Sequence, residues 1–508
     1  MRGYHFAMSD RRLRILCLAL GLMVFGPLAP CGPFEPYLPT GLGGGERARA
    51  QGLPELGEAA QAALSPQLER KVGESIMREY RRDPDFIDDP EVSAYVNLVG
   101  RRLASVSADA GREFEFFVVR EPTINAFAMP GGFIGVHSGL LLASQSEGEL
   151  AGVLAHEVSH VTQRHIARQI DQGQKMQWAA IAGMVAGILA ARSNPQAAQA
   201  AIMTAQAGAI QSQLNYSRDF EREADRVGFT LMAAAGFDPA GMPAFFDRLQ
   251  RAYRLSESNA PAYLRTHPLT GERLSDMQAR VAATEYRQRP DSIEFQLVRA
   301  RLRSEVDLPA EAVALFQRQL GEGRYMTVAS ARYGLALAYL RADDPKAAAT
   351  ALGLARQEAG PHPMFDTLEA RIDAARGNRA GASERLAQTL RTWGRRDYLI
   401  HEYAAALQAE GRHREAIVEL DALVRLRPRE AAAFGMLARS HAALGHLAWQ
   451  HRAQGEFYAL SGSLSDAIQQ LQFAQRANDG DFYLMSEVDT RLRELRSLDA
   501  EERAARRN

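Results

Sequence analysis

The chain has 508 residues, 46% of them hydrophobic, and its 60 basic and 61 acidic residues nearly cancel to a net charge of −1. That length suggests two or three domains with ample apolar content for packed cores. Arginines are interleaved with acids through helical stretches, which reads as solvated helix surface and excludes a nucleic-acid footprint.

Residues 1–50 read as a leader. Arg11, Arg12 and Arg14 form a basic region ahead of an apolar run from Ile15 to Ala29, which is short for a membrane span and right for a signal peptide. Ala48-Arg49-Ala50 offers an A-x-A cleavage site before Gln51, although it stands far from the apolar run; an uncleaved anchor or lipidation at Cys31 is the alternative. The only cysteines, Cys17 and Cys31, lie in this leader, so a chain starting near Gln51 has no disulfide and no thiolate metal site.

Leu150, Val153, Leu154, Val158, Val161 and Ile166 recur at helical spacing and predict a helix with a buried face that carries His156-Glu157-Val158-Ser159-His160. HExxH on a helix sets two imidazoles one turn apart, both within reach of one zinc ion at roughly 2.0–2.1 Å. Glu157 then stands beside the open position, where it can take a proton from a water whose pKa the metal lowers to about 7. His165 falls about 180° around the same helix and is expected in solvent.

Further on, Trp178 to Ala191 is a 14-residue apolar stretch. As a helix it would extend about 21 Å, short of the roughly 30 Å of a bilayer core, and it reads as a buried hairpin, a lid over the cleft or a peripheral membrane contact.

A catalytic zinc needs a third protein ligand. The extended motif is absent, because Gln163 and Ile166 stand where glycine and histidine are needed. Ser217 can cap a helix on which Glu221 and Asp225 share one face at i, i+4. That spacing suits a metal-binding carboxylate and a partner that holds the far ring nitrogen of a ligand histidine. Glu223, facing nearly the opposite side, is the rival ligand. In the run from Leu264 to Arg273, Pro268 biases His267 toward extended backbone, on a loop or helix entry where a neutral imidazole can take the fourth zinc position and silence the site. Arg273 is a candidate for stabilising the developing oxyanion.

From about Pro290 onward the sequence repeats. Gly377, Gly411 and Gly445 are spaced by 34 residues, and Ala348, Ala382 and Ala416 keep the same step, the period of the tetratricopeptide helix-turn-helix. Stacked pairs of this kind make a concave surface suited to an extended segment or a partner loop.

HEVSH, SRDFEREAD and THPLTGER together resemble the M48 family of zinc metallopeptidases. The resemblance implies that Glu221 is the third ligand, with Asp225 at the matching acidic position, and that His267 is the switchable fourth ligand. The segment from Ile124 to Leu142 is similar to that family's edge hairpin, with Asn125, Ala126, Pro130, Gly131 and Gly132 in matching places. With its repeat tail the chain is similar to periplasmic members that act in outer-membrane protein biogenesis. This implies a periplasmic location, unfolded or misassembled protein substrates, and the outer-membrane barrel assembly machinery as a partner of the repeats. One departure is the disulfide between the two domains of such relatives, which this chain cannot make, because both its cysteines lie in the leader.

The expected fold is α+β: a leader over 1–50, a mainly helical gluzincin-type metalloprotease domain with a small hairpin or sheet over 51–289, a tetratricopeptide solenoid over 290–485 and a charged tail over 486–508. The expected activity is zinc endopeptidase, with one zinc held by His156, His160 and Glu221, and Glu157 as the base. Asn125, Ala126 and Phe127 lead into an edge strand that can pair with an extended substrate. The other reading is a periplasmic chaperone or adaptor that works through its repeats while the metal site stays closed.

Overall fold

The computed structural model describes residues 64–173, 217–254, 262–284 and 289–507. The leader with its two cysteines, and the apolar segment 178–191, lie outside the described residues. Among the described residues no helix is long and apolar enough to cross a membrane.

The chain divides into two units, one of residues 1–72 and 163–220 and one of residues 73–162 and 221–508. In the first, Leu64 and Ala167 are buried with Ile166 and Ile170 packed against them, and Arg164 donates to the Leu64 carbonyl (2.6 Å). His165 is buried, 4.3 Å from the Phe220 ring in a stacked pair. Its predicted place in solvent is therefore corrected. Arg164 adopts φ 55°, which breaks the helix after the metal motif, so the 3.6-residue count no longer applies one residue later.

Helix α1 (Pro66–Arg81) runs from the first unit into the second, which continues with strand β1 (Phe86–Ile87) and α2 (Pro90–Ala104), whose first turn is capped by Asp89. Strands β2 (Glu115–Val119), β3 (Ala126–Met129) and β4 (Phe133–His137) complete a four-stranded sheet in the order β1-β2-β4-β3. β2 and β4 run parallel, and β3 returns antiparallel through Pro130-Gly131-Gly132, where both glycines sit at positive φ. β3 is thus an edge strand. Helices α3 (Ser138–Ala143) and α4 (Glu147–Thr162) follow, then helical residues 217–235 as α5, α6 (Gly241–Arg254), α7 (Ala262–Thr266) and α8 (Gly271–Ala282).

The core forms where α2, the sheet and α4 meet, with Val96, Val99, Phe116, Ile134, Val136, Leu150, Leu154 and Val158 all buried. It does not stop at the expected boundary near residue 289. Phe295 and Leu297 of α9 (Ile293–Val306), Phe316 of α10 (Pro309–Glu322), Tyr333 of α11 (Val328–Arg341), Leu352 of α12 (Pro345–Ala359) and Phe365 of α13 (Pro363–Ala375) belong to the same cluster. A buried ionic knot reinforces it: Arg301 reaches Asp89 (2.6 Å) and Glu91 (2.9 Å), and Thr367 donates to Glu91 (2.5 Å).

The repeats continue as α14 (Arg379–Trp393), α15 (Asp397–Ala409), α16 (His413–Leu426), α17 (Ala431–Ala443), α18 (Leu447–Leu460) and α19 (Leu464–Arg476). Gly377, Gly411 and Gly445 follow α13, α15 and α17 at φ 86°, 78° and 74°, the left-handed turn that only glycine makes freely. Ala348, Ala382 and Ala416 are buried in the second helix of successive pairs, where a small side chain lets helices close up. The residues of the expected charged tail form most of α20 (Phe482–Arg507), which buries Leu484, Val488, Leu492 and Leu495. Their steps of four, four and three residues make an apolar stripe under a charged surface.

Candidate active site

α4 is buried along almost its whole length, which fixes the orientation of the side chains it projects. His156 and Glu157 are 0% and 1% exposed, and the ring of His160, one turn on, stands with its Nε2 3.0 Å from His156 Nε2. From α5, Glu221 brings one carboxylate oxygen to 3.3 Å from His156 Nε2 and the other to 3.4 Å from His160 Nε2. His267, just past the end of α7, adds its Nδ1 at 3.0 Å from Glu221 and 3.3 Å from His156 Nε2.

Four donor atoms, from His156, His160, Glu221 and His267, therefore lie within 4.8 Å of one another. Four ligands placed tetrahedrally at roughly 2.0–2.1 Å from an ion would be about 3.3 Å apart, which is the spacing seen here. The tautomer agrees. His156 Nδ1 donates to Asp225 (3.0 Å), which leaves the Nε2 lone pair directed at the shared centre. The residues thus fit a divalent metal ion.

The electrostatics point the same way. Burial opposes a charge on His156, but its hydrogen bonds to Asp225 and Glu221 push its pKa up to about 10. Burial also opposes the Glu221 charge, yet His267, His156 and His160 hold that carboxyl well below its usual range. The cluster calls for positive charge at its centre, which a divalent ion supplies. For His160 burial dominates and lowers the pKa, favouring the neutral ring that ligates metal.

Asp225 is itself gripped. Arg273, near the start of α8, donates through Nε (2.6 Å) and Nη2 (2.8 Å) to its two oxygens, and through Nη1 to the Pro268 carbonyl (2.7 Å). The same Nη1 lies 3.0 Å from Glu221. Burial would raise the Asp225 pKa, but Arg273 and His156 outweigh it and lower it. Arg273 is 4% exposed, and its contacts run to Asp225, Glu221 and the Pro268 carbonyl, behind the donor cluster. Glu223 is partly exposed and stands outside the donor group.

β3 packs beside α4, and Ala126 is fully buried while Phe127 is half-buried. Asn125 and Phe127 thus lead along the sheet edge next to the metal helix. One residue escaped the sequence reading altogether. Tyr263, one turn before His267, stacks on its ring at 4.7 Å, and a one-turn spacing on a short helix was the signal that could have found it. Burial, then the Glu157 and Glu221 charges, pushes its pKa well above the usual phenol value.

A buried HExxH helix with a carboxylate brought to its two histidines from a later helix is the donor set of a metallopeptidase. Residues 90–281 match peptidase family M48. Over 453 residues the chain is 32% identical to the beta-barrel assembly-enhancing protease of Escherichia coli (strain K12), spanning 88% of this chain and 92% of that protein. Its identity to the Yersinia pestis protein of the same name is 31% over 489 residues, 95% and 98% of the two chains. The mitochondrial metalloendopeptidase OMA1 of Schizosaccharomyces pombe is 34% identical over 184 residues, 36% of this chain and 51% of that one. The chain belongs to peptidase family M48, and it is a metalloprotease.

Proposed function

We propose that this protein is a periplasmic zinc endopeptidase that cleaves unfolded or misassembled chains during outer-membrane protein assembly. Its repeats dock substrates or the assembly machinery. The carrying observation is the cluster of His156, His160 and Glu221 donors, with the Glu157 carboxylate on the helix of the two histidines. Outer-membrane assembly is suggested by the names of relatives that match along nearly the whole chain.

His156, His160 and Glu221 would hold one zinc ion, which when bound acidifies a water and polarises a substrate carbonyl. Glu157 takes the proton from the attacking water and returns it to the departing amine nitrogen. Asp225, clamped by Arg273, keeps His156 in the tautomer whose Nε2 faces the metal position. The edge of β3, unpaired among the described residues, aligns an extended substrate backbone by strand pairing, which favours unfolded over folded chains.

One observation favours a second, silent state. His267 already sits among the ligands, 3.0 Å from Glu221, and as a fourth ligand it would exclude the attacking water. In that state the protein works as a binding module through its repeats. Metal analysis and casein digestion of the wild type beside Glu157→Gln test the enzyme reading. Zinc retained with cleavage lost in the variant supports it, and undiminished cleavage by the variant overturns the proposed base.

A further inference from the structure

Three buried polar atoms around this site have no hydrogen-bond partner among the described residues: the Tyr263 hydroxyl, Glu157 Oε1 and Asn125 Oδ1. Leaving such a group unsatisfied is costly, so each calls for an explanation. Glu157 has one, as the base. Asn125 precedes the edge strand, where a substrate amide can donate to it. The Tyr263 hydroxyl has none in the chemistry described so far.

Its setting is specific. Tyr263 is 1% exposed, and its ring stacks on Phe246 (5.8 Å, 20°) and on His267 (4.7 Å, 26°). The ring centre lies 6.3 Å from that of His156. Its backbone N–H donates to the Ile124 carbonyl (3.2 Å), which ties it to the entry of the substrate edge. The phenol is thereby pinned between the ligand cluster and the strand on which a substrate would lie. Packing explains the ring and leaves the hydroxyl unexplained, because phenylalanine would fill the same space.

Peptide hydrolysis leaves one task unassigned. A donor is needed for the carbonyl oxygen as it becomes an oxyanion. Arg273 is occupied by Asp225, Glu221 and Pro268. We propose that Tyr263 is a further catalytic residue whose hydroxyl donates a hydrogen bond to that oxygen. The inference rests on the hydrolytic reading above. As the water oxygen adds to the carbonyl carbon, its proton passes to Glu157 and the C=O π pair moves onto oxygen, which Tyr263 O–H supports without giving up its proton. The C–N bond then breaks as that pair re-forms the carbonyl, and Glu157 protonates the amine nitrogen. In the silent state the His267 ring covers one face of Tyr263, so withdrawing His267 opens the metal position and the phenol together.

The test uses full-length, zinc-loaded protein carrying His267→Ala, alone and combined with Tyr263→Phe or with Glu157→Gln, acting on an unstructured fluorogenic peptide. With Tyr263→Phe, kcat should fall by about 10²-fold while KM stays within about twofold and zinc content and thermal midpoint are unchanged. Unchanged kcat, or a rise in KM alone, beside an inactive Glu157→Gln would overturn the Tyr263 role and leave the hydrolytic reading intact. Cleavage that survives Glu157→Gln would overturn that reading and this inference with it. Loss of zinc or of the fold on Tyr263→Phe would assign the hydroxyl to structure and overturn the proposal too.

Discussion

Arg273 holds both carboxylate oxygens of Asp225 while Asp225 holds His156, so a cation on one helix sets the tautomer of a ligand on another. Asp225→Ala should weaken zinc binding or activity by roughly 10–100-fold without unfolding the chain. Arg273→Ala should cost more, since it leaves two buried carboxylates without their cation, a loss of about 3–5 kcal/mol in stability. Zinc titration and chemical denaturation of both variants check the ordering; a milder effect from Arg273→Ala would contradict it.

Glu221 and Glu223 separate cleanly. Glu221→Ala should remove most of the zinc, and Glu223→Ala should leave both zinc and proteolysis near wild type. Metal content of the purified variants decides, and the reverse pattern would reassign the third ligand.

His267→Ala should keep zinc and raise proteolysis, with self-cleavage as a by-product, because the fourth position is freed while three ligands remain. Casein digestion at equal zinc content is the measurement. Unchanged or lower activity would count against an inhibitory role.

The repeats carry their own pH dependence. Burial, then His446 and Arg452, lowers the His441 pKa to about 4. Between its ordinary value and about 4 the unfolded chain takes up a proton that the folded chain refuses, so stability falls as pH drops through that window. His441 stacks on Trp449, whose fluorescence reports on this part of the solenoid. Urea unfolding followed at Trp449 should show a larger loss from pH 7 to pH 5 in the wild type than in His441→Gln. Equal losses would assign the acid sensitivity elsewhere.

The metal helix, the paired carboxylates and the glycine step were readable because each is a local pattern with one physical meaning. The Asp225–Arg273 clamp was not, since the two residues are 48 apart and nothing local pairs them. His165 misled for the opposite reason: the period was right, and a single positive φ at Arg164 ended the helix that the period assumed. Helix α20 did leave a trace, the apolar stripe from Leu484 to Leu495, which the charge around it masked. Tyr263 shows the limit best, because a buried hydroxyl without a partner among the described residues is visible only once those residues have positions.

The cluster that runs from Ile87 to Ile372 makes the catalytic half and the first repeats one melting body. A protease nick near residue 290 would not release two working pieces, because each would expose a torn half of the same interior. Calorimetrically, the first repeats should melt with the His156, His160 and Glu221 cluster in a single endotherm, and a load applied to them would reach that cluster without crossing a hinge.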